Sequence, residues 1–277
     1  MDHHYNLNIK YVEKFFSTKV ADSFFKKLEK SVEYFHPDVS AVVVRHKKYQ
    51  IPRKVSAYGD ISLTYCFSGT RLPTKPMISV VKQLLDLAND FIKKEKNQSD
   101  IDTADDKNEN DFLKEQNQND SDIIDDNKND SNDKDIDQNK NDILKKEQTQ
   151  YDDDNADDSD KNSDDNDVDK NENENLNYVF INRYENGLDY LGFHKDDEKD
   201  MDSNFPIVTF SFGIKRDIIF KRKKYKNVKI PLEHGSMLVM YPPTNQFWYH
   251  GIPKRKKVKD VRISLTFRRN LSNKNKE

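Results

Sequence analysis

The chain has 277 residues, a formal net charge of −3 and one cysteine, Cys66. A lone cysteine excludes a disulfide framework and favours a reducing compartment. No apolar run reaches transmembrane length, and the opening MDHHYNLNIKYVEKFF lacks a signal-peptide apolar region, so a soluble intracellular protein without a membrane partner is expected.

The small net charge conceals a division. Residues 97–175 carry 29 Asp/Glu against 9 Lys, a net of −20, which leaves +17 on the other 198 residues. This acidic stretch holds no Gly or Pro, and its few aliphatic residues show no sustained period. It cannot bury enough apolar surface to offset its ordering entropy, so it is expected to be a disordered insert. Such a tract can mimic nucleic acid, chelate cations, or simply be tolerated, because loop-closure cost grows slowly with length. The remaining 198 residues suffice for one well-cored domain.

In chain order, TKVADSFFKKLEKSVEYF (18–35) predicts a helix with Val20, Phe24, Leu28, Val32 and Phe35 on one face. A second helix is predicted over 76–95, with Pro76 in its first turn and Ile78, Val81, Leu85 and Ile92 as its buried stripe. Strands are predicted in SAVVV, LTYCF, NYVFINRY, PIVTFSFG, DIIFKRK, VKIPL, SMLVMY and VRISLTFRR. Several strands after helical cover point to an α+β fold, an antiparallel sandwich or jelly roll with helices on one side. Two strands have an odd polarity. Alternation puts Arg262, Ser264, Thr266 and Arg268 on one face of the last, and Asn182 and Tyr184 share a face of NYVFINRY. Those faces are either solvated edges or the lining of a cationic interior shaped for a small dianion.

LGFHKDDEK (191–199) crowds acids around a histidine. On a strand His194 and Asp196 point the same way and can reach one cation, with His250 of NQFWYHGIP as a distant third ligand. Two His and one carboxylate are diagnostic of non-haem Fe(II) oxygenases. Arg262 and Arg268 follow His250 at 12 and 18 residues and suit a dicarboxylate co-substrate. His234 of LEHGSML is the competing histidine, better suited to a turn or the core. His3, His4, His36 and His46 have no carboxylate at metal spacing.

The strings HKDD, WYH and RISLTFR, with LEKSVEYF, PRKVSAYGD, LTYCFSG, FINRYENG, FSFG, LEHGSML, PTNQFWYH, RKKV and LTFR in order, cover nearly all of 18–96 and 176–270. In these the chain resembles the AlkB family of Fe(II)/2-oxoglutarate-dependent nucleic-acid dealkylases, and most of all its nuclear member that repairs double-stranded DNA. The resemblance implies a double-stranded β-helix (jelly roll), with 1–96 supplying N-terminal covering helices and a nucleotide-recognition region. Residues 97–175 would be the insert and 176–277 the jelly-roll core. It implies Fe(II) on His194, Asp196 and His250. Arg262 and Tyr184 would hold the distal carboxylate of 2-oxoglutarate, Arg268 the carboxylate near the metal, and Asn182 would hydrogen-bond the co-substrate. Ser264 stands where the family has Asn, a departure expected to weaken co-substrate binding.

The reaction so implied uses O2 and 2-oxoglutarate, with ascorbate as reductant in vitro. It repairs 1-methyladenine and 3-methylcytosine, releasing formaldehyde, succinate and CO2. Tyr65 and Phe67 would line the lesion pocket, with the base stacked between Phe67 and His194, while Asp197 and Glu198 read its edge. A +17 body suits a polyanion. Arg53 matches a position contacting the nucleic-acid backbone, and Lys254, Arg255, Lys256 and Lys257 match a strand-contacting loop; KRKKYK (221–226) is a second candidate contact. The duplex-repair relative fills the gap left by the flipped base with an aromatic finger, and here Arg45 stands there. Extrusion of a paired base costs a few kcal/mol. Either Arg45 stacks in the gap, or the substrate is single-stranded DNA or RNA. A nuclear monomer is expected, with the cytoplasm as the alternative location.

Overall fold

The computed structural model describes residues 5–44, 47–61, 64–67, 70–116 and 175–271. Arg45 and residues 117–174 of the acidic stretch lie outside the described residues. Four helices are described: α1 (Thr18–Ser31), α2 (Pro37–Ser40), α3 (Ser79–Gln116) and α4 (Thr244–Phe247). The strands are β1 (Ile9–Val12), β2 (Val42–Val44), β3 (Lys47–Tyr49), β4 (Lys54–Tyr58), β5 (Thr64–Phe67), β6 (Thr70–Pro73), β7 (Tyr178–Tyr184) and β8 (Leu191–His194). They continue as β9 (Ile207–Gly213), β10 (Arg216–Lys221), β11 (Val228–Leu232), β12 (Ser236–Met240), β13 (Tyr249–Ile252) and β14 (Arg262–Arg268).

Two antiparallel sheets organise the body. One has six strands in the order β1-β12-β9-β14-β7-β4, the other four in the order β11-β10-β13-β8. The long strands are built from β-branched and aromatic residues, and their period-two alternation gives the larger sheet two different faces. Val179, Ile181, Val208, Phe210, Phe212, Met237, Val239, Ile263, Leu265 and Phe267 face one way and form the main core. Ala21, Phe24 and Leu28 of α1 and Val80, Val81, Leu84, Leu85 and Ala88 of α3 complete that core. Helix α1 starts on a side-chain cap, Ser17 Oγ accepting from the Val20 amide, which satisfies one otherwise orphaned donor.

The opposite face of the same sheet carries the polar residues. Register sets Arg262 against Tyr184, Ser264 against Asn182 and Thr266 against Phe180. Ser264 is also opposite Ser211, and Thr266 opposite Thr209. Arg262, Ser264, Arg268 and Asn182 are 1%, 3%, 6% and 5% exposed, so this face points inward and is no solvated edge.

Helix α3 runs past the predicted end at 95 to Gln116, so its backbone continues into the acidic stretch. Asn89 of α3 closes onto the chain beyond that stretch: its Oδ1 accepts from the Leu176 amide at 2.8 Å and its Nδ2 donates to the Leu176 carbonyl at 3.2 Å. Strands β1, β4 and β13, not named in the sequence reading, add both edges of the larger sheet and the strand bearing His250.

Candidate active site

One cavity is lined by side chains of both sheets. Arg53, Asn182, Tyr184, Arg262, Ser264 and Arg268 come from the larger sheet and its edge, and His194 and His250 from the smaller; Asp196 also reaches it. The two histidines are held by strand pairing, since β13 sets His250 directly opposite His194. Their ring centroids lie 4.4 Å apart.

Each of His194, Asp196 and His250 offers one ligand atom, and the three atoms lie within 4.8 Å of one another. His194 Nε2 is 3.3 Å from Asp196 Oδ1, and His250 Nε2 is 3.7 Å from Asp196 Oδ2. His194 Nδ1 faces the carbonyls of Gly192 at 3.0 Å and His250 at 3.1 Å. A ring nitrogen facing carbonyls carries the proton, which leaves Nε2 as the lone-pair donor toward the cluster. Asp196 Oδ2 is buried without a hydrogen-bond partner. A divalent cation fits this donor set of two imidazoles and one carboxylate, and gives the orphaned oxygen a partner.

Electrostatics prepares the ligands. Burial alone would raise the Asp196 carboxyl, but Arg268, the His194 hydrogen bond and the charges of both imidazoles hold it well below the carboxylate range. Arg268 Nη2 donates to Asp196 Oδ1 at 2.7 Å. Burial, helped by the neighbouring His194, pushes His250 down to about 3, so it stays a neutral donor. Burial also opposes charge on His194, yet the hydrogen bond and charge of Asp196 outweigh it and raise its pKa.

Deeper in the cavity Arg262 is fully enclosed. Its Nη2 donates to Ser211 Oγ at 2.9 Å, while Nε and Nη1 are buried with no partner. Burial lowers its pKa to about 10, so it remains a cation at neutral pH. Such a buried cation with two idle donors calls for a carboxylate. The Tyr184 ring lies between two guanidinium groups, Arg262 at 5.2 Å and Arg216 at 5.5 Å from its centroid.

A match to the 2OG-Fe(II) oxygenase superfamily spans residues 8–268. The chain belongs to the 2OG-Fe(II) oxygenase superfamily. Among relatives of this oxygenase, human "DNA oxidative demethylase ALKBH2" is 30% identical over 265 residues, covering 92% of this chain and 71% of that protein. The mouse protein of the same name is 29% identical over 268 residues, covering 94% and 79%. Human "Alpha-ketoglutarate-dependent dioxygenase alkB homolog 3" is 33% identical over 102 residues, 33% of this chain and 36% of that protein. The AlkB resemblance read in the motifs is thereby borne out.

Arg53 is 8% exposed, with Nε donating to Asn182 Oδ1 at 2.6 Å and Nη1 to the Tyr190 carbonyl at 3.2 Å. In this position it walls the cavity and braces Asn182. With Asn182 Oδ1 accepting from Arg53, its Nδ2 is turned to donate to a ligand. Tyr65 and Phe67 lie on β5, and their side chains are outside the described residues. Asp197 is exposed and Glu198 half-buried.

In the basic loop, Lys254, Lys256 and Lys257 are exposed, with Lys254 Nζ 4.6 Å from the Tyr190 ring centroid. Arg255 instead pairs with Asp217 at 2.8 Å. The loop is tied to the β7–β8 connection, the Arg255 amide donating to the Gly187 carbonyl and the Gly187 amide to the Val258 carbonyl. Gly187 permits this approach, because a Cβ there would fall 1.7 Å from the Arg255 carbonyl oxygen.

Sequence reasoning missed three residues. Ser211 buttresses Arg262. Arg216, 1% exposed, donates to the carbonyls of Asn186, Asp189 and Pro253 and so ties the loops at the cavity rim. Asn245 of α4 grips the main chain of Asp196. His234 has the turn role favoured for it: Nδ1 accepts from the Gly213 amide at 2.9 Å and Nε2 meets Asp22 at 3.1 Å.

Proposed function

We propose that this protein is a DNA oxidative demethylase that repairs N-alkylated bases such as 1-methyladenine and 3-methylcytosine. One observation carries the reading. Three ligand atoms within 4.8 Å of one another stand beside a buried arginine with idle donors, in a chain 30% identical to a DNA oxidative demethylase across 92% of its length. The two sheets that share the cavity correspond to a double-stranded β-helix. Fe(II) and 2-oxoglutarate, when bound, supply the oxidising power that spends O2 on an N-methyl carbon and yields succinate, CO2 and formaldehyde.

The chain's own residues bind, orient and exclude water. His194, Asp196 and His250 would hold the cation through two imidazoles and one carboxylate. Arg262, oriented by Ser211 and close to the Tyr184 ring, would hold the distal carboxylate of 2-oxoglutarate. Arg268 neutralises Asp196 and would pair with the other carboxylate of 2-oxoglutarate. Asn182, braced by Arg53, donates to the co-substrate through Nδ2, and Ser264 offers a shorter donor on the same face. Tyr65, Phe67, Asp197 and Glu198 serve the damaged base. Exposed Lys254, Lys256 and Lys257, with 221–226, serve phosphates, which set affinity more than sequence choice. A monomer acting in the nucleus is consistent with this chemistry.

Formaldehyde release tests the reading, with matched single- and double-stranded oligonucleotides carrying one 1-methyladenine, plus Fe(II), 2-oxoglutarate and ascorbate. Duplex turnover is the expected result if Arg45 or a neighbour fills the gap behind the flipped base. Turnover on single strands alone moves the substrate to single-stranded DNA or methylated RNA. No turnover on either, with 2-oxoglutarate bound, would overturn the DNA assignment.

A further inference from the structure

Asp196 presents a problem of geometry. For His194 and Asp196 to reach one cation, the backbone must stay extended through residue 196 so that both side chains keep the same face. Yet β8 ends at His194, and among the described residues no strand pairs with residues 195–198. Something else must hold the Asp196 peptide in strand-like geometry.

The structure assigns that role to Asn245. The Asp196 amide donates to Asn245 Oδ1 at 2.9 Å, and Asn245 Nδ2 donates back to the Asp196 carbonyl. In an antiparallel ladder, a hydrogen-bonded residue exchanges its N–H and its C=O with one opposite residue. The Asn245 carboxamide has the same donor and acceptor, so one side chain replaces the missing strand and extends the pairing of β13 and β8 to the metal-binding carboxylate.

The clamp is itself anchored. Thr244, fully buried, exchanges two hydrogen bonds with the Asn8 main chain, Oγ1 accepting from its amide at 2.7 Å and donating to its carbonyl at 2.8 Å. Lys195 adds a bond from Nζ to the Gln246 carbonyl at 2.5 Å. Asn245 is therefore a positioning residue, fixing where Asp196 presents its oxygens without touching cation or substrate. This inference rests on the metal-centre reading of His194, Asp196 and His250.

The test is Mn(II) binding to metal-free protein, followed by electron paramagnetic resonance, for wild type, Asn245→Leu and Thr244→Val. Asn245→Leu keeps the volume and deletes both bonds. Loss of such an outer partner weakens metal affinity roughly 10- to 100-fold, and that loss is the expected result, with Kd for an undamaged oligonucleotide unchanged. Thr244→Val loosens α4 at its anchor on Asn8 and leaves both Asn245 bonds in place, so its melting temperature should fall while its Mn(II) affinity drops less than that of Asn245→Leu. Wild-type affinity in Asn245→Leu would overturn the inference, as would equal Mn(II) losses in the two variants. Wild-type protein that binds no Mn(II) would sink the metal reading itself and this inference with it. Amide hydrogen exchange on unaltered protein gives an independent check should a variant fail to fold. The Asp196 amide should exchange slowly although it lies outside every strand, and exchange at the free-peptide rate would overturn the clamp.

Discussion

Replacing His194 by Ala removes one of three ligand atoms and leaves the basic loop at 254–257 untouched. Turnover should vanish at any iron concentration, while affinity for an undamaged oligonucleotide stays within a factor of about two, since phosphate contacts dominate that affinity. Retained turnover with saturating iron would remove His194 from the ligand set. Arg262→Lys probes the co-substrate end of the cavity. A lysine keeps the charge but loses the planar fork, and a charge-assisted hydrogen bond contributes ~1.5–3 kcal/mol. KM for 2-oxoglutarate should therefore rise roughly 10- to 100-fold, read from initial rates with 2-oxoglutarate varied. Ser264→Asn puts a longer amide donor on the cavity face and should lower that KM. At this scale the sequence was most readable where chemistry demands rare residue types at fixed spacing, as in HKD and the two arginines of β14. It was least readable where ordinary residues act through the main chain. Asn245 looks like a helix-start residue, and nothing in PPTNQFWYH shows that its amide faces Asp196. Arg53 reads as a surface cation because its partners, Asn182 and the Tyr190 carbonyl, lie far along the chain.

At the scale of elements, β14 does two jobs through simple alternation. Ile263, Leu265 and Phe267 close the core against α1 and α3, while Arg262, Ser264 and Arg268 line the cavity. A register slip of one residue would bury the wrong set on both sides, so pairing with β7 and β9 is strongly specified. The period-two pattern announced this split, but not which face looked inward, because that depends on the second sheet. Short strands such as β1, β8 and β13 carry too few residues for any period to be read. Leu28 of α1, fully buried against the sheet, tests the core: Leu28→Ala should cost about 2–5 kcal/mol, seen as a lower denaturation midpoint with the substrate dependence of surviving protein unchanged. Lys256→Ala with Lys257→Ala tests the loop. Binding should weaken alike on every sequence, and the log–log salt slope should fall by ~0.7 for each lost phosphate contact on single strands. An unchanged slope would place both lysines off the nucleic acid.

For the whole molecule, the main quantity is charge distribution. The stretch 97–175 carries −20 and the remainder +17, so the acidic segment opposes the polyanion that the body attracts. Excising 97–174 and joining the ends with a short Gly/Ser linker should tighten binding to undamaged DNA, most at low salt, where screening is weak. The fold should survive, because Glu95 is tied to Lys10 at 2.7 Å and Asn89 to Leu176. Shortening a closed loop more than tenfold stabilises by about 2 kcal/mol. Looser binding after excision would mean that the acidic segment helps to capture substrate.

The bond pair between Asn89 and Leu176 carries a different consequence. It brings the outgoing and returning backbone to one spot, so the enzyme is built from two complementary pieces whose covalent link is incidental to their fit. The first piece supplies β1, α1, the start of α3 and β4; the second supplies every candidate metal ligand. Their interface is made of the β1–β12 and β4–β7 ladders and the main core. Residues 1–96 and 175–277, expressed as separate polypeptides, should find each other and reconstitute turnover without being joined.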